Sequence, residues 1–170
     1  MKRIFLFSAL LCIFTLGSTN HLSAQGKYGH VNSSELLTSM PGIDSVSIKL
    51  QAFQSELQGL YEDYMAEYQA KVTKFDKEAG TMSSSVRQIR EKEIQDLQNR
   101  IQEFQYSVQE DLESKQFELV KPFQDKIQNA IKEVAKENSY TYVFDTQVLL
   151  YSDGGVDITP LVKKKLGINK

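Results

Sequence analysis

The residue pattern predicts a mainly α-helical protein with a small β body, from which a long antiparallel helical hairpin projects. Three observations lead there. Apolar residues recur at the helical period over two long segments, few helix breakers interrupt those segments, and short alternating runs are confined to the regions that flank them.

In the first segment the apolar stripe reads Val46, Leu50, Phe53, Leu57, Leu60, Tyr64, Tyr68, Val72 and Phe75, eight intervals over 29 residues. In the second it reads Ile94, Leu97, Ile101, Phe104, Val108, Leu112, Gln116, Leu119, Phe123, Ile127, Ala130 and Val134, eleven intervals over 40 residues. Both average about 3.6 residues, the period of a straight helix rather than the 3.5 of a heptad coil, so the two helices should pair with little supercoil. Gln116 is the weak point of the second stripe. The punctuation within this stretch is Pro41–Gly42 at the start, Gly80 in the middle and Pro122 near the base.

Residues 79–85, Ala-Gly-Thr-Met-Ser-Ser-Ser, form the expected tip. Gly80 suits the left-handed position that ends a helix. Ser85 can cap the next helix, with Gln88 as its reciprocal partner. A tip near residue 82 sets Pro41 level with Pro122. Because Pro122 lacks the N–H of a helical hydrogen bond, it should kink the second arm there, beyond which the helix leaves the hairpin. Each arm then has about 37 residues, or roughly 55 Å.

Tyr28–Asn32 is a candidate strand. Tyr140–Asp145 is a second, with Tyr140, Tyr142 and Phe144 on one face, and Gln147–Tyr151 is a third. Ser152-Asp153-Gly154-Gly155 reads as a turn. In the final helix Thr159 caps, Pro160 takes the first position and Gly167 stops it. So small a sheet, with open edges, buries little core alone, and pooling strands between several chains is the economical solution.

The first 24 residues read as a secretory signal peptide: Lys2 and Arg3, then the apolar run Ile4–Gly17, then a polar stretch ending at Ala24. At 14 residues the run is shorter than the ~20 that span a bilayer. A lipoprotein signal acylated at Cys12 is the rival, disfavoured because Leu11 is not small. Residues 25–170 form the single expected domain, with its body at 25–41 and 123–170, arms at 42–79 and 85–122 and the tip at 80–84. Cleavage removes the only cysteine and two cations, taking the net charge from −2 to about −4. That balance does not suggest nucleic-acid or anionic-membrane binding, and no integral membrane segment is expected in the mature chain. The expected location is the periplasm.

Catalytic chemistry is not expected. Only His30 remains of the histidines, so a nucleophile–histidine–acid triad has one candidate base, and a transition-metal site has almost no ligands. Glu91, Glu93, Glu110, Asp111 and Glu113 lie among lysines, arginines and glutamines, the composition of a solvated helix face. No phosphate-binding glycine loop precedes a helix. No cofactor and no metal are expected.

The run from Ala130 to Gly167, AIKEVAKENSYTYVFDTQVLLYSDGGVDITPLVKKKLG, resembles the C-terminal signature of the Skp/OmpH family of periplasmic chaperones. A strand ending in Val31-Asn32 and a long charged hairpin complete the same order, so the resemblance covers the whole mature chain. It implies a homotrimer with a small central barrel of pooled strands and three projecting tentacles. It also implies an ATP-independent holdase that shields unfolded outer-membrane proteins. Family members can carry cationic tips linked to anionic lipid or lipopolysaccharide binding. Here Gly80–Ser85 carries no charge and only Arg87 and Arg90 follow, so that binding is not carried over.

Apolar residues off the main stripe are the candidate client contacts: Ile48 with Phe117 near the base, and Tyr61, Met65 and Tyr106 farther out. They could equally pack on a neighbouring chain or extend the hairpin core. Gln116 and Pro122 are the candidate hinge. The alternative to a holdase is an envelope adaptor or structural coiled-coil protein that binds one folded partner.

Overall fold

A computed structural model describes residues 26–168. The expected signal peptide, with Cys12 and His21, lies outside the described residues.

Strand β1 (Tyr28–Val31) leads directly into a short helix, α1 (Ser33–Thr38). Asn32 caps that helix by accepting a hydrogen bond from the Glu35 N–H at 3.0 Å. This helix was not expected from periodicity, although Asn32 followed by Glu35 three residues on is the capping pattern that signals one. Leu36 on α1 is wholly buried.

Helix α2 (Asp44–Glu78) forms the first arm, roughly 50 Å long for its 35 residues. Gly59 lies inside it without interrupting it. Helix α3 (Ser84–Glu137) returns along α2 and continues into the body as one element of 54 residues. Pro122 does not end it. Its missing N–H falls on the exposed side, where water can satisfy the freed carbonyl. Beyond Pro122 the apolar face of α3 leaves the hairpin seam and enters the body core through Phe123, Ile127 and Val134.

The tip differs from expectation in two ways. Gly80 does not take the left-handed conformation, because the turn after α2 is closed by right-handed geometry and a Thr81 N–H bond to the Glu78 carbonyl at 3.0 Å. The cap of α3 is Ser83 rather than Ser85: its hydroxyl accepts from the Val86 N–H at 3.4 Å. Three consecutive serines offered equivalent caps, and the length of the turn selected the first.

Along the seam Leu57, Leu97 and Ile101 are buried, and Tyr64 meets Phe104 edge-on at 5.6 Å. Two stripe positions are corrected. Leu60 is exposed, while Tyr61 is half-buried at the seam and accepts a hydrogen bond from Gln105 Nε2 at 3.1 Å. Gln116 is exposed, and the seam passes through Lys115, which is half-buried with its ammonium 5.7 Å from the centre of the Phe53 ring. Both positions suit a helical stripe between Leu112 and Leu119. Lysine wins because its long stem covers the ring while its charge reaches solvent and Glu118, 2.9 Å away.

The sheet has three parallel strands in the order β2-β1-β3. Strand β2 (Tyr142–Asp145) pairs Tyr28 with Tyr142 and Val31 with Asp145. Strand β3 is only Val156–Asp157. The expected third strand at Gln147–Tyr151 is not formed: Thr146–Val148 is a single 3-10 turn nucleated by the Asp145 carboxylate, which accepts from the Gln147 N–H at 3.0 Å. Tyr140 precedes the strand and packs against the core, so it does not share the face of Tyr142 and Phe144. The Ser152–Gly155 turn is present, with Gly154 at φ +88.

Helix α4 (Thr159–Lys165) closes the chain, and Gly167 at φ +73 stops it. Thr159 does not cap α4. The Asp157 carboxylate accepts from the Thr159 N–H at 2.8 Å, while the buried Thr159 hydroxyl accepts from the Asn32 N–H at 3.0 Å. That hydrogen bond ties the start of the body to its end.

Of the twelve buried apolar residues among those described, nine belong to one body core built around Leu36, Ile158 and Val162. At about 1.5–3 kcal/mol for each fully buried aliphatic side chain, most of the packing free energy resides in the body. The arms hang on a single seam.

Candidate functional site

Four surfaces are built by this fold, and the outward face of the sheet is the first. Alternation places Tyr28, His30, Tyr142 and Phe144 on the side away from α3 and α4. The rings of Tyr28 and Tyr142 stack at 5.9 Å with planes 6° apart, and Phe144 stacks on Tyr142 at 6.1 Å. Tyr142 nevertheless remains 57% exposed, and Leu150 beyond the 3-10 turn is 105% exposed. Parallel strands normally have both faces covered. This sheet has one, and both of its edge strands lack an outer neighbour among the described residues.

The arms form the second surface. Tyr106 stands 85% exposed, and Ile48 and Phe117 are also well exposed. Met65 is half-buried, as is Tyr61 beside Gln105. Thus Ile48, Tyr106 and Phe117 present apolar surface outward, whereas Tyr61 and Met65 lie at the margin of the seam. Leu60, expected in the seam, and Ile89, outside both stripes, add further exposed apolar groups. Their exposure follows from which flank of each helix the partner helix occupies, and the spacing alone does not encode that.

Third is a groove of about 620 Å³ at the base, between α1, α3 and the 3-10 turn. Phe117 and Ile131 stand on its α3 side and Leu37 on the opposite wall.

The tip carries the fourth feature, a hollow of about 140 Å³ floored by Phe75, Met82 and Ile94. Lys71, Arg90 and Glu93 ring it, with Arg90 2.8 Å and Lys71 3.7 Å from the Glu93 carboxylate. The Arg90 hydrogen bond, helped by the charges of Arg90 and Lys71, holds Glu93 below the usual carboxylate range. In the body, hydrogen bonds to Glu137 first and Glu133 second push Lys165 above the usual lysine range. These are ion pairs that fasten elements together. Among the described residues no three His, Cys, Asp or Glu side chains gather as metal ligands, and no helix is long and apolar enough to cross a membrane. His30 sits half-buried in β1 beside Gly155.

Comparison with known proteins matches this architecture. The family described as outer membrane protein (OmpH-like) matches residues 27–166. The chaperone protein Skp of Photorhabdus luminescens is 30% identical over 165 residues, covering 92% of this chain and 98% of that protein. The Skp chaperone of Yersinia enterocolitica is 28% identical over 163 residues, covering 92% and 97%. A crystal structure from Caulobacter crescentus CB15, described as an OmpH-like outer membrane chaperone, superposes with a TM-score of 0.64 over 83% of each chain at 13% identity, which speaks to fold alone. With the family match spanning arms and body together, the chain belongs to the OmpH-like, or Skp/OmpH, family.

Proposed function

We propose that this protein is an ATP-independent periplasmic holdase chaperone that binds unfolded outer-membrane proteins and keeps them from aggregating. The observation that carries the reading is the unpartnered apolar surface along the arms, Ile48, Tyr106 and Phe117, on a chain that aligns nearly end to end with proteins named Skp chaperones. Exposed apolar groups scattered along a charged scaffold offer many weak contacts. Weak multivalent contact holds a client and still releases it without a chemical energy source. Tyr61 and Met65 extend that surface where the seam opens.

The working unit in this proposal is a homotrimer. Three sheets would each cover the stacked face of Tyr28, Tyr142 and Phe144 and would satisfy the open strand edges by pairing into a small barrel. The arms would then enclose a common cavity. Lipopolysaccharide or anionic lipid is not part of the proposal. The tip loop at 80–84 has no charge, Arg87 is spent on the Ala79 carbonyl at 2.6 Å, and Arg90 on Glu93.

The test is dilution of several urea-unfolded β-barrel proteins into buffer with and without the purified protein, followed by light scattering. Broad suppression at stoichiometric amounts, without nucleotide, is expected. An adaptor for one folded partner would suppress nothing, and that result would overturn the holdase reading.

A further inference from the structure

The outward face of the sheet carries a histidine among its aromatic rings. His30 lies in β1, in register with Phe144 on β2 and Asp157 on β3, and alternation sets it on the outward face with Tyr28 and Tyr142. The imidazole is half-buried. A side chain at Gly155 would come within 3.1 Å of its Nδ1, so the ring lies against the bare backbone of the Ser152–Gly155 turn. It opens on a hollow of about 200 Å³ that Tyr28, Phe144, Leu149, Tyr151 and Asp153 also line. His30 is the one histidine among the described residues, and histidine is the side chain that ordinarily takes up its proton between about pH 5 and 8.

The carboxylates around it are engaged elsewhere. Asp157 accepts from the Thr159 N–H at 2.8 Å, and Asp153 accepts from the Tyr151 hydroxyl at 2.9 Å. Asp145 is in register with Val31, on the core side of the sheet, and accepts from the Ser33 hydroxyl and the Gln147 N–H. None of the ion pairs among the described residues includes His30. Tyr28, Tyr142 and Tyr151 complete the titratable groups on this face, and phenols as a class are uncharged near neutral pH. Lys27, just before the strand, lies over the Tyr140 ring and adds only positive charge. This is also the face whose open strand edges and exposed Val148, Leu150 and Tyr151 suit a second copy of the chain, because another strand's backbone satisfies an unpaired edge. Covering a neutral imidazole hides a largely apolar ring. Covering an imidazolium strips the hydration from a charge, and symmetry brings three such charges to one assembly.

We infer that protonation of His30 separates the three chains, so that the assembly forms at neutral pH and comes apart in mild acid. The inference rests on the homotrimer reading and adds a control to it. Assembled chains bind fewer protons than separated ones, so association strengthens as pH rises and weakens as pH falls through the range in which histidine titrates. At its steepest the association constant changes about tenfold per imidazole and per pH unit. Because the arms enclose a client only together, the same fall in pH would release what they hold.

Light scattering on the exported protein, purified without a polyhistidine tag, measures mass from about pH 7.5 to about pH 5.5 at constant ionic strength. The wild type should be trimeric at the upper value and shift toward monomer at the lower. His30→Gln and His30→Phe carry no group that titrates in this range, and both should stay trimeric throughout. His30→Lys, charged at every pH used, should be monomeric throughout. Suppression of β-barrel aggregation should follow mass in each protein. The contrast between the wild type and the two uncharged variants holds whether or not separated chains keep their helical content, which circular dichroism records. A wild-type trimer whose mass is the same at both ends of the range would overturn the inference and leave the homotrimer standing. An equal shift in His30→Gln or His30→Phe would overturn it too, by assigning the effect to other groups. A wild type already monomeric at the upper pH would overturn the homotrimer reading together with the inference.

Discussion

The Thr159 side chain helps lock the two ends of the body, beside the ion pair between Lys163 and Glu35. Its hydroxyl is buried and accepts the Asn32 N–H, at the junction of β1 and α1. Thr159→Val keeps the shape but strands that donor, and urea denaturation should record a loss of about 1–3 kcal/mol, with Thr159→Ser close to wild type. Charge acts at the same scale through Lys165. Its partners Glu137 and Glu133 raise its folded pKa, so the stability it contributes is complete below the unfolded value near 10.5 and is lost as pH rises through the folded value. Glu93 has the opposite sign: its pKa is lowered, and its contribution is present above the unfolded value of 4.5 and lost as pH falls through the folded one. Urea midpoints measured through the alkaline range should therefore fall less steeply in Lys165→Met than in the wild type. An unchanged slope would remove Lys165 from the account.

At the scale of the element, the hairpin is a pair of helices joined by one seam that is uneven along its length. Leu57, Leu97 and Ile101 bury well toward the tip, whereas the stretch around Phe53 and Lys115 packs a cation against a ring. Just below, Pro122 removes one hydrogen bond from α3. We propose bending of the arms over this region, with Gln116 and Pro122 exposed on its outer side. Pro122→Ala restores the bond, so hydrogen exchange around 116–122 should slow and the range of client sizes held should narrow. Equal exchange and equal capacity for small and large clients would refute the hinge. The stripe itself was legible because helical periodicity is local. The choice of Lys115 over Gln116 was not, since both are polar and both fit the spacing. Only the position of Phe53 on the opposite arm separates them.

For the whole molecule, stability and the proposed assembly draw on different surfaces. The body core sustains the single chain, while the outward face of the sheet remains uncovered within it. If three chains cover that face, Tyr142→Lys should leave helical content and the monomer fold intact yet shift the mass measured by light scattering from trimer to monomer. Suppression of aggregation should fall with it, because separated arms enclose nothing. A wild-type protein that is monomeric at working concentration would refute the trimer directly.

What the amino-acid sequence determined by itself was local: the periodic arms, the turn between them, the glycine stop at 167 and the existence of the first two short strands, expected at Tyr28–Asn32 and Tyr140–Asp145 and formed at Tyr28–Val31 and Tyr142–Asp145. Each of these rests on residues within a few turns or steps of one another. Only the tertiary structure decided the rest. Gln147–Tyr151 has the composition of a strand but no neighbour to pair with among the described residues, while Val156–Asp157, only two residues long, becomes one because β1 lies beside it. Thr159 had the chemistry of a cap and was drawn instead to the Asn32 N–H, 127 residues away. Strand pairing and buried hydrogen bonds join distant parts of the chain, and local residue preferences cannot choose between partners that only the folded chain brings together.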